Sequence, residues 1–148
     1  ITALEAGSDM LWADDMGVDS QGLTAEGQEM ATIARDHPRL QLFASVAFKY
    51  RPHEPNPVGA AAHARAAGFI PTTSGDATGH APDPQKIFAM GEGGALAIAS
   101  GMTPENVATY APALTHILVA TGVSRTEHHI DPAKLSALIG QLRQDVTP

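Results

Sequence analysis

The chain has 148 residues, 43% hydrophobic and 17% charged, with a formal net charge of −7 and no cysteine. That composition belongs to a globular domain with a sizeable core. It contains no apolar run long enough for a transmembrane helix, and its negative charge argues against nucleic acid and anionic membrane surfaces as partners. The lack of cysteine excludes disulfides, thiolate metal sites and a thiol nucleophile, and with no secretory signal visible a cytoplasmic location is the expectation.

Residues 1–7 read as the end of a helix stopped by Gly7. Residues 9–13 (Asp-Met-Leu-Trp-Ala) form a short strand ending in Asp14-Asp15. A helix over 24–37 is capped by Thr24 and followed by Pro38. Residues 40–48 are apolar on both faces, as a buried parallel strand should be, and deliver Lys49 at their C-terminal end. After a proline-rich loop, an alanine-rich helix over 58–67 closes at Gly68. The strand 69–73 leads into Ser74-Gly75-Asp76-Ala77-Thr78-Gly79. Asp83-Pro84 opens a helix, with Asp83 as its cap and proline at the first position. A strand over 95–99 precedes a helix from Thr103-Pro104 to Tyr110. A strand over 117–120 and a helix from Asp131-Pro132 through Leu142 complete the chain.

Five βα units in a row predict α/β architecture with a parallel sheet and right-handed crossovers. Glycine and polar residues follow the strands rather than precede them. That places ligands at the strand C-termini, in a closed barrel or in an open doubly wound sheet. No Gly-x-Gly-x-x-Gly pattern follows a strand, which disfavours dinucleotide binding. A whole (β/α)₈ barrel needs about 250 residues. The expectation is therefore a single domain over 1–148 that forms the C-terminal portion of a TIM (β/α)₈ barrel.

Residues 95–107 and 117–124 are the most informative stretches. Each is a short apolar run ending in hydroxyl residues around a glycine, the pattern that holds a phosphate in the last two units of such barrels. Ser100, Gly101, Thr103, Thr121, Gly122 and Ser124 are the candidate anion ligands. Thr103 is also a plain N-cap, and the two roles can share one helix end.

Phe43-Ala-Ser-Val-Ala-Phe-Lys49, Ser74-Gly-Asp-Ala-Thr-Gly79 with Pro82-Asp83, Ser100-Gly-Met-Thr-Pro-Glu-Asn-Val107 and Ala120-Thr-Gly-Val-Ser124 resemble the BtpA/SgcQ family, from about Leu40 onward. The Ser74–Gly79 loop is the most specific of these segments. The resemblance implies a barrel related to ribulose-phosphate-binding barrels, with these five units as its fourth to eighth. One branch of that family is linked to photosystem I biogenesis and another sits among sugar-metabolism proteins. The chain departs from the pattern at Trp12-Ala-Asp-Asp15, at Tyr50-Arg51 after the lysine, and at Ala-Thr-Gly in the last loop.

Three side chains are candidate catalysts. Lys49, at a strand C-terminus, could form a Schiff base or neutralise a phosphate; the plain alternative is a lysine facing solvent. Asp76 could act as general base beside the loop residues Ser74, Gly75 and Thr78, or could simply close an Asx turn. Asp14, paired with Asp15, could serve as acid or base or help hold Mg²⁺, against a turn-forming pair before Gly17. No other metal site is expected: His128 and His129, being adjacent, point apart and belong to a surface loop. His80 has little claim on the pocket, and Met90 and Met102 read as core or loop filler.

Three functions fit these features. One is an enzyme acting on a phosphorylated sugar or nucleoside-like metabolite. Another is a non-catalytic assembly factor that kept the barrel. The third is a bare structural piece that needs its missing half, a swapped partner or a homo-oligomer to cover its sheet edges.

Overall fold

Five short runs pair side by side into one parallel sheet in the computed structural model, which describes residues 5–144. They are β1 (Met10–Ala13), β4 (Gln41–Ser45), β5 (Ile70–Thr73), β6 (Ala97–Ile98) and β7 (His116–Ile117), hydrogen-bonded in that order. Between them lie helices α1 (Ala25–Asp36), α2 (Pro57–Ala66), α3 (Pro84–Gly91) and α4 (Val107–Tyr110), and α5 (Pro132–Gln144) closes the chain. Two hairpins extend the loops after β1 and β7: β2 (Val18–Asp19) with β3 (Gly22–Leu23), and β8 (Ser124–Thr126) with β9 (His129–Ile130).

The strand order runs in one direction, so right-handed crossovers place α1 to α4 on the same face. Leu42, Ala44 and Ile98 from the strands and Leu96 just before β6 pack there against Ala60, Ala61 and Ala64 of α2 and Ile87 and Met90 of α3, with Met30, Ile33 and Ala34 of α1 at the margin. A second cluster, Val107, Val123 and Leu138, seats α5. A doubly wound sheet would reverse its order and carry helices on both faces.

The register defines the opposite face: Trp12, Phe43 and Ile70 lie level, and Ser45, Thr72, Ala97 and His116 form the next layer. Its middle is small and buried, at Ser45, Thr72 and Ala97. Its edge at β1 is open, with Met10 58% and Trp12 44% exposed.

Local signals set most helix starts. The Thr24 hydroxyl accepts from Gly27 N at 3.2 Å, Asn56 Oδ1 from Gly59 N at 2.9 Å, Asp83 Oδ1 from Gln85 N at 2.9 Å and Asp131 Oδ1 from Ala133 N at 2.9 Å. Pro57 and Pro84 occupy first-turn positions.

The structure corrects several boundaries. The strand expected over 40–48 ends at Ser45, because Ala47 turns left-handed at φ 47°. The strand expected over 95–99 pairs only at Ala97–Ile98, and the one expected over 117–120 starts a residue earlier and pairs only at His116–Ile117. The helix expected from Thr103 begins only at Val107. The two hairpins come in addition to the five expected units; Asp19 Oδ1 shapes the turn of the first by accepting from Gln21 N at 2.7 Å, and Gly22 adopts φ 121°. The helix end expected over 1–7 lies mostly outside the described residues, and 5–7 form a turn.

Candidate functional site

The strand C-termini open into two clefts that share Lys49 as a wall. The first, about 310 Å³, lies between the loop after β6 (Ala99, Ser100, Gly101, Met102) and the loop after β7 (Leu118 to Gly122), with Trp12 and Thr78 at its sides. The second, about 330 Å³, lies between the segment after β4 (Ala47 to Glu54) and the loop after β5, with Gly75, Asp76 and Lys86 in its wall.

Lys49 reaches both through an unusual backbone. Val46 still pairs, donating to Thr72 O at 2.9 Å, and then Ala47 and Tyr50 both take positive φ, 47° and 61°. Lys49 N donates to Ser74 Oγ at 2.8 Å. Its ammonium lies 3.4 Å from Ala99 O and 5.3 Å from the centre of the Phe48 ring.

In the first cleft the two loops are packed on each other. A Cβ on Gly122 would overlap the Met102 carbonyl oxygen, and one on Gly101 the backbone at His80–Ala81. Gly101 also sits at φ 71°, so both glycines are required by close approach. Asn106 braces the loop: its Nδ2 donates to Gly101 O at 2.8 Å and its Oδ1 accepts from Thr103 N at 2.8 Å. Ser100 Oγ donates to Ala77 O at 3.2 Å, tying this loop to the one after β5.

The anion candidates thus separate. Ser100, Gly101, Thr121, Gly122 and Thr78 line the first cleft. Thr103 does not, and its hydroxyl accepts from Glu105 N at 3.3 Å. As α4 starts a turn later and Asn106 replaces Thr103 at its head, the helix end expected to face the anion is set back from it. Ser124 donates to Ala120 O at 2.8 Å and lines a separate depression beside Arg125 and Glu127. Ser74 is fully buried and donates to Gly75 O at 2.8 Å while accepting from Lys49 N, so it organises the site without facing a ligand.

Asp76 is exposed in the wall of the second cleft. Asp14 lines neither cleft; its backbone carbonyl accepts from Arg51 Nη1. Arg51 Nη2 also pairs with Asp15 Oδ2 at 2.8 Å, and Gly17 N donates to Asp15 Oδ1 at 2.8 Å. The Arg51 hydrogen bond, then the Gly17 amide, hold the Asp15 carboxyl below its usual 3.8. The Asp14-Asp15 pair therefore builds a turn held to the segment after β4. Among the described residues no group of three or more His, Asp or Glu side chains is placed to hold a metal ion. His128 and His129 lie exposed in the β8–β9 hairpin, where His129 Nδ1 meets Thr126 Oγ1 at 3.0 Å. Among the described residues no helix is long and apolar enough to cross a membrane.

Two site residues escaped the sequence. Lys86, on α3, donates to Ala47 O at 2.8 Å and Ser74 O at 3.0 Å, and burial pushes its pKa below the usual lysine value while Asp76 opposes that shift. Its position in a helix gives no sign of this reach. Trp12 donates from Nε1 to Ser45 Oγ at 3.0 Å and stacks obliquely near Phe48, 5.8 Å between ring centres. The alternation of Met10 and Trp12 against Leu11 and Ala13 was the available signal for it.

No family model matches the chain, and no protein of curated function matches it. Among solved structures, a monomeric form generated from dimeric phosphoribosylanthranilate isomerase of Thermotoga maritima aligns at 11% identity, covering 96% of this chain and 91% of that one, with a TM-score of 0.39. A likeness that loose says nothing about the site.

Proposed function

We propose that the first cleft binds the phosphate or other oxyanion of a small metabolite, with Lys49 as its cation. The observation that carries this reading is the placement of the Lys49 ammonium against Ala99 O, in the lining of a cleft that also takes in two glycine-bearing loops. Those loops let backbone N–H groups approach a ligand oxygen closely. The rest of the metabolite extends past Lys49 into the second cleft, where Asp76 supplies a carboxylate for acid–base work on a sugar-phosphate or nucleoside-like substrate.

The one-directional strand order with α1 to α4 on one face supports a (β/α)₈-barrel relationship, with this chain as its last five units, and the loop motifs keep the BtpA/SgcQ family as the best-fitting kind of barrel. The half-exposed Met10 and Trp12 at the β1 edge favour a second reading, an assembly factor that docks another protein there and performs no chemistry.

Trp12 is the only tryptophan and lines the cleft, so its fluorescence reports on occupancy. Titration with inorganic phosphate and with a pentose phosphate should change the emission saturably. Lys49→Met should weaken binding about 10-fold or more, as expected for loss of a charge-assisted contact. A soaked crystal should show the anion between Gly101 and Thr121. Unchanged emission with an empty cleft, or equal affinity in Lys49→Met, would sink the anion site and leave the docking reading.

A further inference from the structure

We propose that Lys86 is the positioning residue of the Lys49 segment: its ammonium, with the Thr73 hydroxyl, clamps the Ala47 carbonyl and so holds the left-handed turn that presents Lys49 to both clefts.

Alanine and tyrosine rarely take positive φ, because Cβ crowds the following carbonyl; such residues persist only where their surroundings over-determine them. Here two of them, Ala47 and Tyr50, flank Lys49 within one short segment. Each is pinned from outside the segment. The Ala47 carbonyl accepts from Lys86 Nζ at 2.8 Å and from Thr73 Oγ1 at 3.1 Å. The Tyr50 hydroxyl lies 3.3 Å from both the Thr78 hydroxyl and the Thr78 N–H.

Lys86 also donates to Ser74 O at 3.0 Å, and Ser74 Oγ receives the Lys49 amide. A single ammonium thus ties the end of β4 to the end of β5 on either side of the Lys49 hydrogen bond. It is delivered by a rigid element: α3 is capped by Asp83 and rooted in the core by the fully buried Ile87 and Met90. An ammonium suits this task, since its three donors can serve several carbonyls at once and it accepts nothing. Burial works against its charged form, and the Asp76 carboxylate opposes that effect.

Why Lys49 should be held at all rests on the anion-binding reading, but the clamp has its own test. Lys49, Lys86 and Lys134 are the lysines of the chain, so [¹⁵N]lysine labelling gives three backbone amide signals. Lys86→Met keeps the apolar stem and removes the donors. In a variant that still melts cooperatively, the Lys49 amide should exchange at least about 10-fold faster than in the parent. Ala47→Gly added to Lys86→Met should return most of that protection, because glycine takes the left-handed conformation without a clamp. An unchanged Lys49 rate in Lys86→Met overturns the proposal, as does a loss that Ala47→Gly leaves untouched.

If Lys86→Met does not fold, the unmodified chain decides. The Lys86 ammonium protons should exchange about 10-fold more slowly than those of the surface Lys134, and equal rates overturn the clamp. Adding inorganic phosphate to the same labelled sample separates the two ideas. A Lys49 signal unmoved by phosphate removes the anion site, while the clamp stands or falls on exchange alone.

Discussion

The Phe43 ring meets the His116 imidazole edge-on, 85° between planes and 5.1 Å between centres, although β5 and β6 lie between their strands. Neighbouring strands sit about 4.8 Å apart, so three steps across a flat sheet would separate them by roughly 14 Å. The sheet must curl for the two rings to touch. Buried Thr72 and Ala97 between them leave the space in which they meet. The same curl brings Trp12 on β1 and Leu118 after β7 to one cleft.

Phe43→Ala should therefore be costly, about 3–5 kcal/mol, since the cavity opens at the centre of the curled face. At roughly 2–4 °C per kcal/mol for a chain of this size, that is a drop in Tm near 10 °C by calorimetry. His116→Ala should cost less, and a double-mutant cycle should return a coupling of about 0.5–1.5 kcal/mol. Additive effects would mean that the rings contribute only through burial.

Tyr110→Phe should lower stability by about 1–2 kcal/mol. The Tyr110 hydroxyl donates to Pro82 O at 2.8 Å, both groups are buried, and the substitution leaves the carbonyl without its donor. Urea unfolding should show the midpoint falling with an unchanged slope. An unmoved midpoint would show that another donor reaches Pro82.

Gly122→Ala should part the two cleft loops, as its Cβ would occupy the place of the Met102 carbonyl oxygen. A cost of about 1–3 kcal/mol is expected, with Trp12 emission altered in the folded variant because the cleft changes shape. Parent-like stability and emission would show that the loops are not in close contact.

The Arg51–Asp15 pair should appear in the acid limb of the stability curve. The folded Asp15 carboxyl titrates below its unfolded 3.8, so its contribution is present above that value and is lost as pH falls through the lowered native one. Asp15 is well exposed, so solvent screening keeps the contribution to about 0.2–1 kcal/mol. The Tm difference between the parent and Arg51→Met should be steady from about pH 5 to 7 and shrink below 3.8. A difference that does not change with pH would assign the loss to packing of the Arg51 stem.

The strand–helix alternation, the parallel sheet and most helix starts were legible from residues one to four positions apart. Thr24, Asp83 and Asp131 cap helices through their own nearest amides, and Pro84 and Pro132 stand where a first-turn proline belongs. The end of the sheet at which Lys49 gathers with the loops carrying Ser100–Gly101 and Thr121–Gly122 was legible too, since βα units put such loops on one side, but Lys49 lies past the left-handed turn at Ala47 and not at the strand end, because β4 stops at Ser45. Thr103 misled because Asn106, three positions on, ties down the Thr103 amide and the Gly101 carbonyl, and the helix starts one turn later.

What the sequence by itself determined is the set of elements and the side of the sheet on which polar loops gather, because propensity, capping and pleat parity act between near neighbours. Only the tertiary structure decided which groups meet there. The left-handed turn at Ala47 depends on a lysine 39 positions away, and the Trp12–Ser45 hydrogen bond spans 33. Phe43 and His116 touch only because the whole sheet curls. Each of these contacts is fixed by register and curvature summed over several strands, and no local pattern carries that sum.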